Sequence, residues 1–132
     1  MTVKDLREYN DLLKLIERNK IRLAEISARL DPASSDFSGM PRSGNTRNTT
    51  DTLALYVDLK TEIESQQREY LQKQIEIEHF LRSIDDLHIR RIIAYHFIDR
   101  LTWRQTAQRI GGGNTAGGIK MALYRYLDKT GS

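Results

Sequence analysis

Cationic and polar side chains between residues 104 and 125 have types and spacing that suit contact with a polyanion. Arg and Lys bind phosphate oxygens, and Asn, Thr and Tyr can hydrogen-bond to phosphates or to base edges. The candidate contact residues are Arg104, Arg109, Asn114, Thr115, Lys120, Met121, Tyr124 and Arg125. Because Arg and Lys supply the charge of this set, contacts to DNA would be salt dependent and tolerant of base sequence.

The net charge is distributed unevenly along the chain. Residues 82–132 carry 9 Lys and Arg against 4 Asp and Glu, whereas residues 1–81 carry 12 against 14. A basic C-terminal third beside a slightly acidic remainder indicates that one end of the chain meets a polyanion. DNA is therefore the partner that we expect for this end.

The remaining reactive side chains form no pattern that supports catalysis. The chain has no cysteine, and its three histidines lack the paired spacing of a metal site. The glycine run Gly111–Gly113 follows a helical pattern and has no Lys-Ser or Lys-Thr after it, so it does not match a phosphate-binding P-loop. We expect no enzyme activity, no metal and no cofactor.

Two short helices would position the candidate contact residues. They are predicted over Thr102–Ile110 and Thr115–Leu127. Thr102 and Gln105 can form a capping box, the Gly111–Gly113 run allows the backbone to turn, and Asn114 or Thr115 can cap the second helix. The positions expected to face inward are Trp103, Thr106, Ala107, Ile110, Ile119, Ala122, Leu123, Tyr126 and Leu127. This is the layout of a DNA-binding helix-turn-helix, whose second helix enters the major groove.

The predicted second helix departs from the common motif at its start. From Gly111 to Ile119, the first inner aliphatic residue, the spacing is about two residues longer than usual. Gly117 and Gly118 present no side chain where base contacts are expected, and they lower helix propensity. We therefore expect DNA binding without strong sequence specificity of its own, with a second copy of the chain or a polymerase supplying the rest.

Two long helices precede this segment and carry apolar residues in heptad spacing. In the helix Val3–Leu30 the seam consists of Tyr9, Leu12, Ile16, Asn19, Leu23, Ile26 and Leu30. In the second helix, from Thr50 or Asp51 to Arg82, the seam consists of Tyr56, Leu59, Ile63, Gln66, Tyr70, Lys73, Ile77 and Phe80, and the same spacing continues to Ile84 and Leu87. Both prolines lie between the helices, so residues 31–50 are predicted to be a loop. The seams can cover each other in an antiparallel hairpin, cover a second copy of the chain, or both.

A third helix is predicted over Ser83–Ile98, which either continues the second helix or breaks from it near Ser83–Asp86, where Ser83, Asp85 or Asp86 can cap a new start. The predicted fold class is thus all-α, a long coiled-coil-like antiparallel hairpin followed by a small helix-turn-helix module. We assign residues 1–82, with the loop 31–50, to oligomerisation or partner docking and residues 83–132 to DNA binding.

No apolar run is long enough to span a bilayer and the N-terminus lacks a signal-peptide layout, so we expect a cytoplasmic protein without membrane contact.

The segment Asp99–Gly111, Asp-Arg-Leu-Thr-Trp-Arg-Gln-Thr-Ala-Gln-Arg-Ile-Gly, resembles the fourth region of bacterial sigma factors. It is more similar still to small prophage proteins of Gram-positive bacteria that join such a helix-turn-helix to an N-terminal helical hairpin. The Met-Pro-Arg stretch at Met40–Arg42 and the turn Gly111–Thr115 also match those proteins, so the resemblance spans roughly residues 37–128. It implies a helix-turn-helix over residues 102–127 and a role like that of phage late-gene transcription regulators.

Three functions are compatible with these features. The first is a transcription regulator that binds DNA with its C-terminal helices, beside RNA polymerase, while its long helices form a homodimer or a higher oligomer. The second is a DNA-packaging protein like the small terminase subunits, which also join a helix-turn-helix to oligomerising helices. The third is a helical adaptor that binds RNA polymerase through protein contacts. Small terminase subunits usually have the DNA-binding part first, so the order of parts in this chain favours regulation.

Overall fold

A computed structural model describes residues 1–30 and 45–130, and within these residues every regular element is a helix. The α-helices are α1 (Val3–Leu30), α2 (Asn45–Ser83), α3 (Leu87–Ile93), α4 (Trp103–Ile110) and α5 (Ala116–Lys129), and a π-helical segment, Ala94–Ile98, follows α3 directly. The predicted all-α fold class is confirmed. The Met40–Arg42 stretch lies outside the described residues.

The first long helix has the predicted bounds, whereas the second begins earlier than predicted. α2 starts at Asn45 and not at Thr50 or Asp51, so the predicted loop over residues 31–50 is too long at its C-terminal end. The Asn and Thr residues at the start of α2 suggested a loop by composition. Each of them lowers helix stability by less than about 1 kcal/mol relative to Ala. A long helix can include such residues because each added residue only extends an existing nucleus.

Contacts within the chain define two compact units, which divide it differently from the predicted boundary at residue 82. Unit 1 combines residues 1–11 with residues 70–132, and unit 2 comprises residues 12–69. Unit 1 carries 12 Lys and Arg against 9 Asp and Glu, whereas unit 2 carries 9 of each. The net charge of +3 therefore resides in unit 1, which also contains every candidate contact residue.

Unit 2 is held together by the predicted seams of α1 and α2. Its buried cluster and the residues packed against it are Ile26, Leu59, Ile63, Leu23, Leu30 and Tyr56. Two polar seam residues pair with each other, since Asn19 Nδ2 donates a hydrogen bond to Gln66 Oε1 at 3.1 Å. This pairing satisfies two polar groups, either of which would destabilise the seam if it were buried without a partner.

Unit 1 has a larger core, to which distant parts of the chain contribute. Its buried residues are Leu6, Tyr9, Ile77, Ile84, Ile89, Ile92, Ile93, Phe97, Ala107, Ile119, Leu123 and Leu127. Tyr9 stacks on Tyr70 with ring centroids 4.5 Å apart, and burial raises the pKa of the Tyr9 phenol well above its usual value. Burial of one large apolar side chain contributes roughly 1.5–3 kcal/mol. The first turns of α1 are therefore an integral part of unit 1.

The predicted third helix breaks from α2, and Asp86, one of its predicted caps, starts it. α2 continues through Ser83, and α3 starts only after Asp86, which is its N-cap. Asp86 Oδ1 accepts hydrogen bonds from the backbone N–H groups of His88 at 3.0 Å and Ile89 at 3.3 Å. A side chain that satisfies these donors favours a helix start at this point over continuation of the preceding helix.

The π-helical segment Ala94–Ile98 brings His96 against the first residue of α4. The carbonyl oxygen of Leu101 accepts a hydrogen bond from His96 Nδ1 at 2.7 Å. The His96 ring stacks on Trp103 with centroids 3.7 Å apart and planes 18° from parallel. Trp103 therefore packs within unit 1, as its predicted inward position requires, and this contact fixes the start of α4 against the preceding segment.

Candidate nucleic-acid interface

Helices α4 and α5 carry most of the candidate contact residues, and each starts at a predicted cap. Thr102 Oγ1 accepts a hydrogen bond from Gln105 N–H at 3.0 Å, and Gln105 Oε1 accepts one from Thr102 N–H at 2.9 Å, so the predicted capping box is confirmed. Thr115, and not Asn114, caps α5, because its Oγ1 accepts a hydrogen bond from Gly118 N–H at 3.0 Å. An N-cap of this kind is worth about 1 kcal/mol.

The connection between α4 and α5 contains three consecutive glycines with positive φ. Gly111, Gly112 and Gly113 have φ angles of 74°, 65° and 78°, a region in which a residue with a Cβ is strained. Asn114 Nδ2 donates a hydrogen bond to the Gly111 carbonyl oxygen at 2.7 Å and closes the turn. The lengthened spacing is accommodated by this turn and the cap, because Ile119 is still buried.

The inward faces of α4 and α5 are those that the sequence predicts. Thr106 and Ala107 of α4 are buried, as are Ile119, Leu123 and Leu127 of α5. Because the buried residues of α5 recur every four residues, they share one side of the helix and leave the other side exposed.

The opposite faces leave most candidate contact residues in solvent. The exposed ones are Arg104, Arg109, Asn114, Thr115, Lys120, Met121 and Arg125. Tyr124 differs from them because it is half-buried and engaged by another side chain. The structure thus places the predicted residues on α4, on α5 and at the junction before α5, and we call this surface the α4–α5 face.

Two cations lie near the Tyr124 ring, and one of them comes from α1. Arg7 Nη2 donates a hydrogen bond to Tyr124 Oη at 3.2 Å, and the guanidinium carbon lies 5.4 Å from the ring centroid. Lys120 Nζ lies 5.8 Å from the same centroid. The sequence analysis did not select Arg7. The sequence holds one indication of this contact. Leu6, the residue before Arg7, is apolar but lies outside the heptad seam, which indicates that a second side of α1 is buried at its start.

A second tyrosine also has two cations near its ring. The guanidinium carbons of Arg91 from α3 and Arg109 from α4 are 5.7 Å and 5.8 Å from the Tyr95 ring centroid. A cation–π contact at an exposed site contributes roughly 0.5–1 kcal/mol, which helps to hold two like charges near one ring. Arg109 is a predicted phosphate contact, whereas Arg91 is a further cation that the sequence analysis did not select.

The two glycines in the first turn of α5 have different steric surroundings. A Cβ on Gly117 would have no neighbour within 4 Å, whereas a Cβ on Gly118 would lie 3.0 Å from Thr115 Oγ1. Gly118 is therefore favoured by the geometry of the cap, while Gly117 borders open space. A glycine in that position lets a ligand approach the backbone closely.

Replacing Gly117 with alanine is expected to stabilise unit 1 by about 1 kcal/mol, because alanine has the higher helix propensity and its methyl group enters open space. The melting temperature should rise by roughly 4–8 °C, as measured by circular dichroism. Gly118→Ala is the matched control, because its methyl group would crowd the cap oxygen and offset the gain. Equal rises for the two variants would contradict this steric distinction.

The α4–α5 face offers guanidinium, ammonium, hydroxyl and amide groups, which bind anions and hydrogen-bond acceptors. Within residues 1–30 and 45–130, no group of three or more His, Cys, Asp or Glu side chains is arranged to hold a metal ion. Over the same part of the chain, no helix combines the length and the apolar character needed to cross a membrane.

Comparison with known proteins identifies a family but not an activity. The sequence profile described as "Protein of unknown function (DUF1492)" matches residues 33–116, which include the whole of α2, α3 and α4. This family is phage-associated, which agrees with that part of the resemblance found in the sequence. No curated protein and no solved structure gives a significant match. Since the profile covers more than half of the chain, the protein belongs to the DUF1492 family.

Proposed function

We propose that this protein is a phage-type transcription regulator that binds DNA through a helix-turn-helix formed by α4 and α5. The observation that carries the proposal is that α5 is amphipathic. One side buries Ile119, Leu123 and Leu127, while Lys120 and Arg125 are exposed on the rest of the helix. A capped helix with a buried apolar side and an exposed cationic side suits insertion into the major groove.

The supporting helix adds the second element of such a motif. α4 is fixed by its capping box at Thr102 and by the stacking of Trp103 on His96. Arg104 and Arg109 are exposed on it and are available to phosphates beside the groove. Phosphate contacts of this kind fix the position of a protein on DNA, whereas base contacts provide specificity. Because Gly117 and Gly118 in the first turn of α5 have no side chains for base contacts, we expect the protein to bind DNA with little preference for base sequence.

Reversing the charges of Arg104 and Arg109 is the direct test. In the full-length chain, Arg104→Glu/Arg109→Glu should weaken binding to duplex DNA at least about 100-fold, because each lost charge-assisted contact is worth roughly 1.5 kcal/mol or more. Fluorescence anisotropy with a mixed-sequence duplex, at roughly 50 to 200 mM salt, measures the affinity and its salt dependence.

Lys14→Glu/Arg18→Glu is the matched control. It makes the same change in net charge at two exposed positions of α1 that belong to unit 2, whereas α4 and α5 belong to unit 1. This control should retain most of the affinity. Unchanged binding by the Arg104 and Arg109 variant, with its helical spectrum intact, would overturn the proposal. Equal losses in the two variants would show that net charge alone drives binding.

We also propose that α1 and α2 form the predicted antiparallel hairpin within unit 2. The support is the direction of their contacts. One heptad forward along α1 leads from Asn19 to Ile26, and one heptad back along α2 leads from Gln66 to Leu59. Asn19 bonds to Gln66, and Ile26 shares a cluster with Leu59. Matched steps of opposite sign are the register of antiparallel helices.

The assembly state separates regulation from the alternatives. A homodimer formed through the long helices suits a regulator, whereas a ring-sized oligomer would favour DNA packaging. Light scattering of the full-length chain distinguishes these states. An adaptor for RNA polymerase would bind the polymerase without DNA, which a binding assay with purified polymerase would reveal.

A further inference from the structure

The first turns of α1 place a fixed cation beside α5. Arg7 is exposed, yet its side chain reaches α5 and bonds to Tyr124 Oη at 3.2 Å. The same tyrosine ring lies 5.8 Å from Lys120 Nζ. Two cations from helices far apart in the sequence therefore meet at one ring, which is itself half-buried against the core of unit 1.

The backbone of Arg7 is held by the core of unit 1. Its neighbours Leu6 and Tyr9 are each only 1% exposed and belong to the same core as the buried residues of α5. The start of α1 is closed by a reciprocal cap, in which Thr2 N–H donates to Asp5 Oδ2 at 2.8 Å and Asp5 N–H donates to Thr2 Oγ1 at 3.1 Å. The bond from Thr2 N–H also lowers the pKa of the Asp5 carboxyl.

The Arg7 guanidinium keeps donors for a ligand while it is bound to Tyr124. A guanidinium has several N–H donors in a fixed plane, and the Tyr124 hydroxyl accepts one of them. The planar group matches a phosphate, and its contact with the ring reduces the freedom that binding would remove. Asp11, one turn later on α1, also attracts the Arg7 guanidinium, whereas Lys4, one turn earlier, forms an ion pair with Glu8 of the same helix at 3.8 Å.

We propose that Arg7 binds a DNA phosphate, so that the start of α1 forms part of the nucleic-acid interface together with Lys120. This inference rests on the proposed function and extends its interface to a second region of the chain. Tyr124 then acts as a positioning residue, since its ring and hydroxyl hold the Arg7 guanidinium beside α5. DNA would be contacted by both sequence segments of unit 1.

The test compares Arg7→Gln with Lys4→Gln in the full-length chain. Arg7→Gln should weaken binding to the mixed-sequence duplex about tenfold at low salt and reduce the slope of log affinity against log salt by about 1. Lys4→Gln removes the same charge from the same helix and should change the affinity less than about twofold, since a surface pair contributes little. Tyr124→Phe keeps the ring but removes the hydroxyl, and should give a loss smaller than that of Arg7→Gln.

The outcomes distinguish this inference from the function on which it rests. If the wild-type chain binds DNA and depends on Arg104 and Arg109, but Arg7→Gln binds like Lys4→Gln, the inference fails and the proposed function stands. Tighter binding by Arg7→Gln would also overturn the inference, because it would mean that Arg7 shields Tyr124 from DNA. A wild-type chain without salt-dependent binding would overturn both. Thermal melts of each variant verify that the loss of binding is not a loss of folding.

Discussion

Replacing Leu123 with alanine should destabilise unit 1 by about 2–5 kcal/mol, the range for removing a fully buried leucine side chain. Leu123 is 0% exposed and lies in the core shared by α1, α3, α4 and α5. The cost has two parts: the free energy gained when the removed apolar atoms are transferred out of water, and the free energy of the cavity that remains. Urea unfolding followed by circular dichroism measures the change, and DNA binding should be lost at temperatures where the variant is unfolded.

Met121→Ala is the control for Leu123→Ala. Met121 is on the same helix, also has a long apolar side chain and is 51% exposed. Its replacement should change the free energy of unfolding by no more than about 0.5 kcal/mol, as is usual at surface positions. If the two variants were equally stable, the assignment of the buried and exposed sides of α5 would be wrong, and with it the α4–α5 face.

Replacing Ile63 with aspartate should unfold the paired long helices of unit 2. Ile63 is 5% exposed and packs in the cluster with Ile26 and Leu59. An ionised carboxylate without a partner at such a position costs several kcal/mol, which is a large part of the stability of a small unit. The helical circular dichroism signal should fall, and the melting temperature with it.

Val57→Asp provides the comparison for Ile63→Asp. Val57 is a β-branched aliphatic residue of the same helix and is 51% exposed, so its aspartate stays in water and should leave the helical signal nearly unchanged. A melt of Ile63→Asp that matches wild type would exclude the heptad seam as the basis of unit 2. Loss of helix in both variants would show that the charge acts through helix propensity and not through burial.

Local signals in the sequence were sufficient for the elements around the candidate site. The capping box of Thr102 and Gln105 and the spacing of Ile119, Leu123 and Leu127 depend only on residues within one or two turns of each other. The starts of α4 and α5, the end of α4 and the buried side of each helix followed from them, whereas α5 continues beyond its predicted end at Leu127 to Lys129. The choice of Thr115 over Asn114 as the cap did not follow, because both side chains can accept the bond.

Features that depend on distant residues were not accessible from the sequence. The hydrogen bond between Asn19 and Gln66 joins two residues that each weaken a seam when considered alone. The contact of Arg7 with Tyr124 spans 117 positions, and no local pattern relates the two residues. The early start of α2 at Asn45 shows the same limit, since weak propensities at a helix end are outweighed by the length of the helix that follows.

The assembly of unit 1 from two separated segments has a consequence during synthesis of the protein. Leu6 and Tyr9 leave the ribosome well before Ile119, Leu123 and Leu127, which share their core. Contacts of such large sequence separation form late, because closing a long loop costs entropy before the contact stabilises it. The α4–α5 face can therefore reach its final form only after both segments of unit 1 have been made, so a nascent chain that lacks residues 119–127 cannot present it.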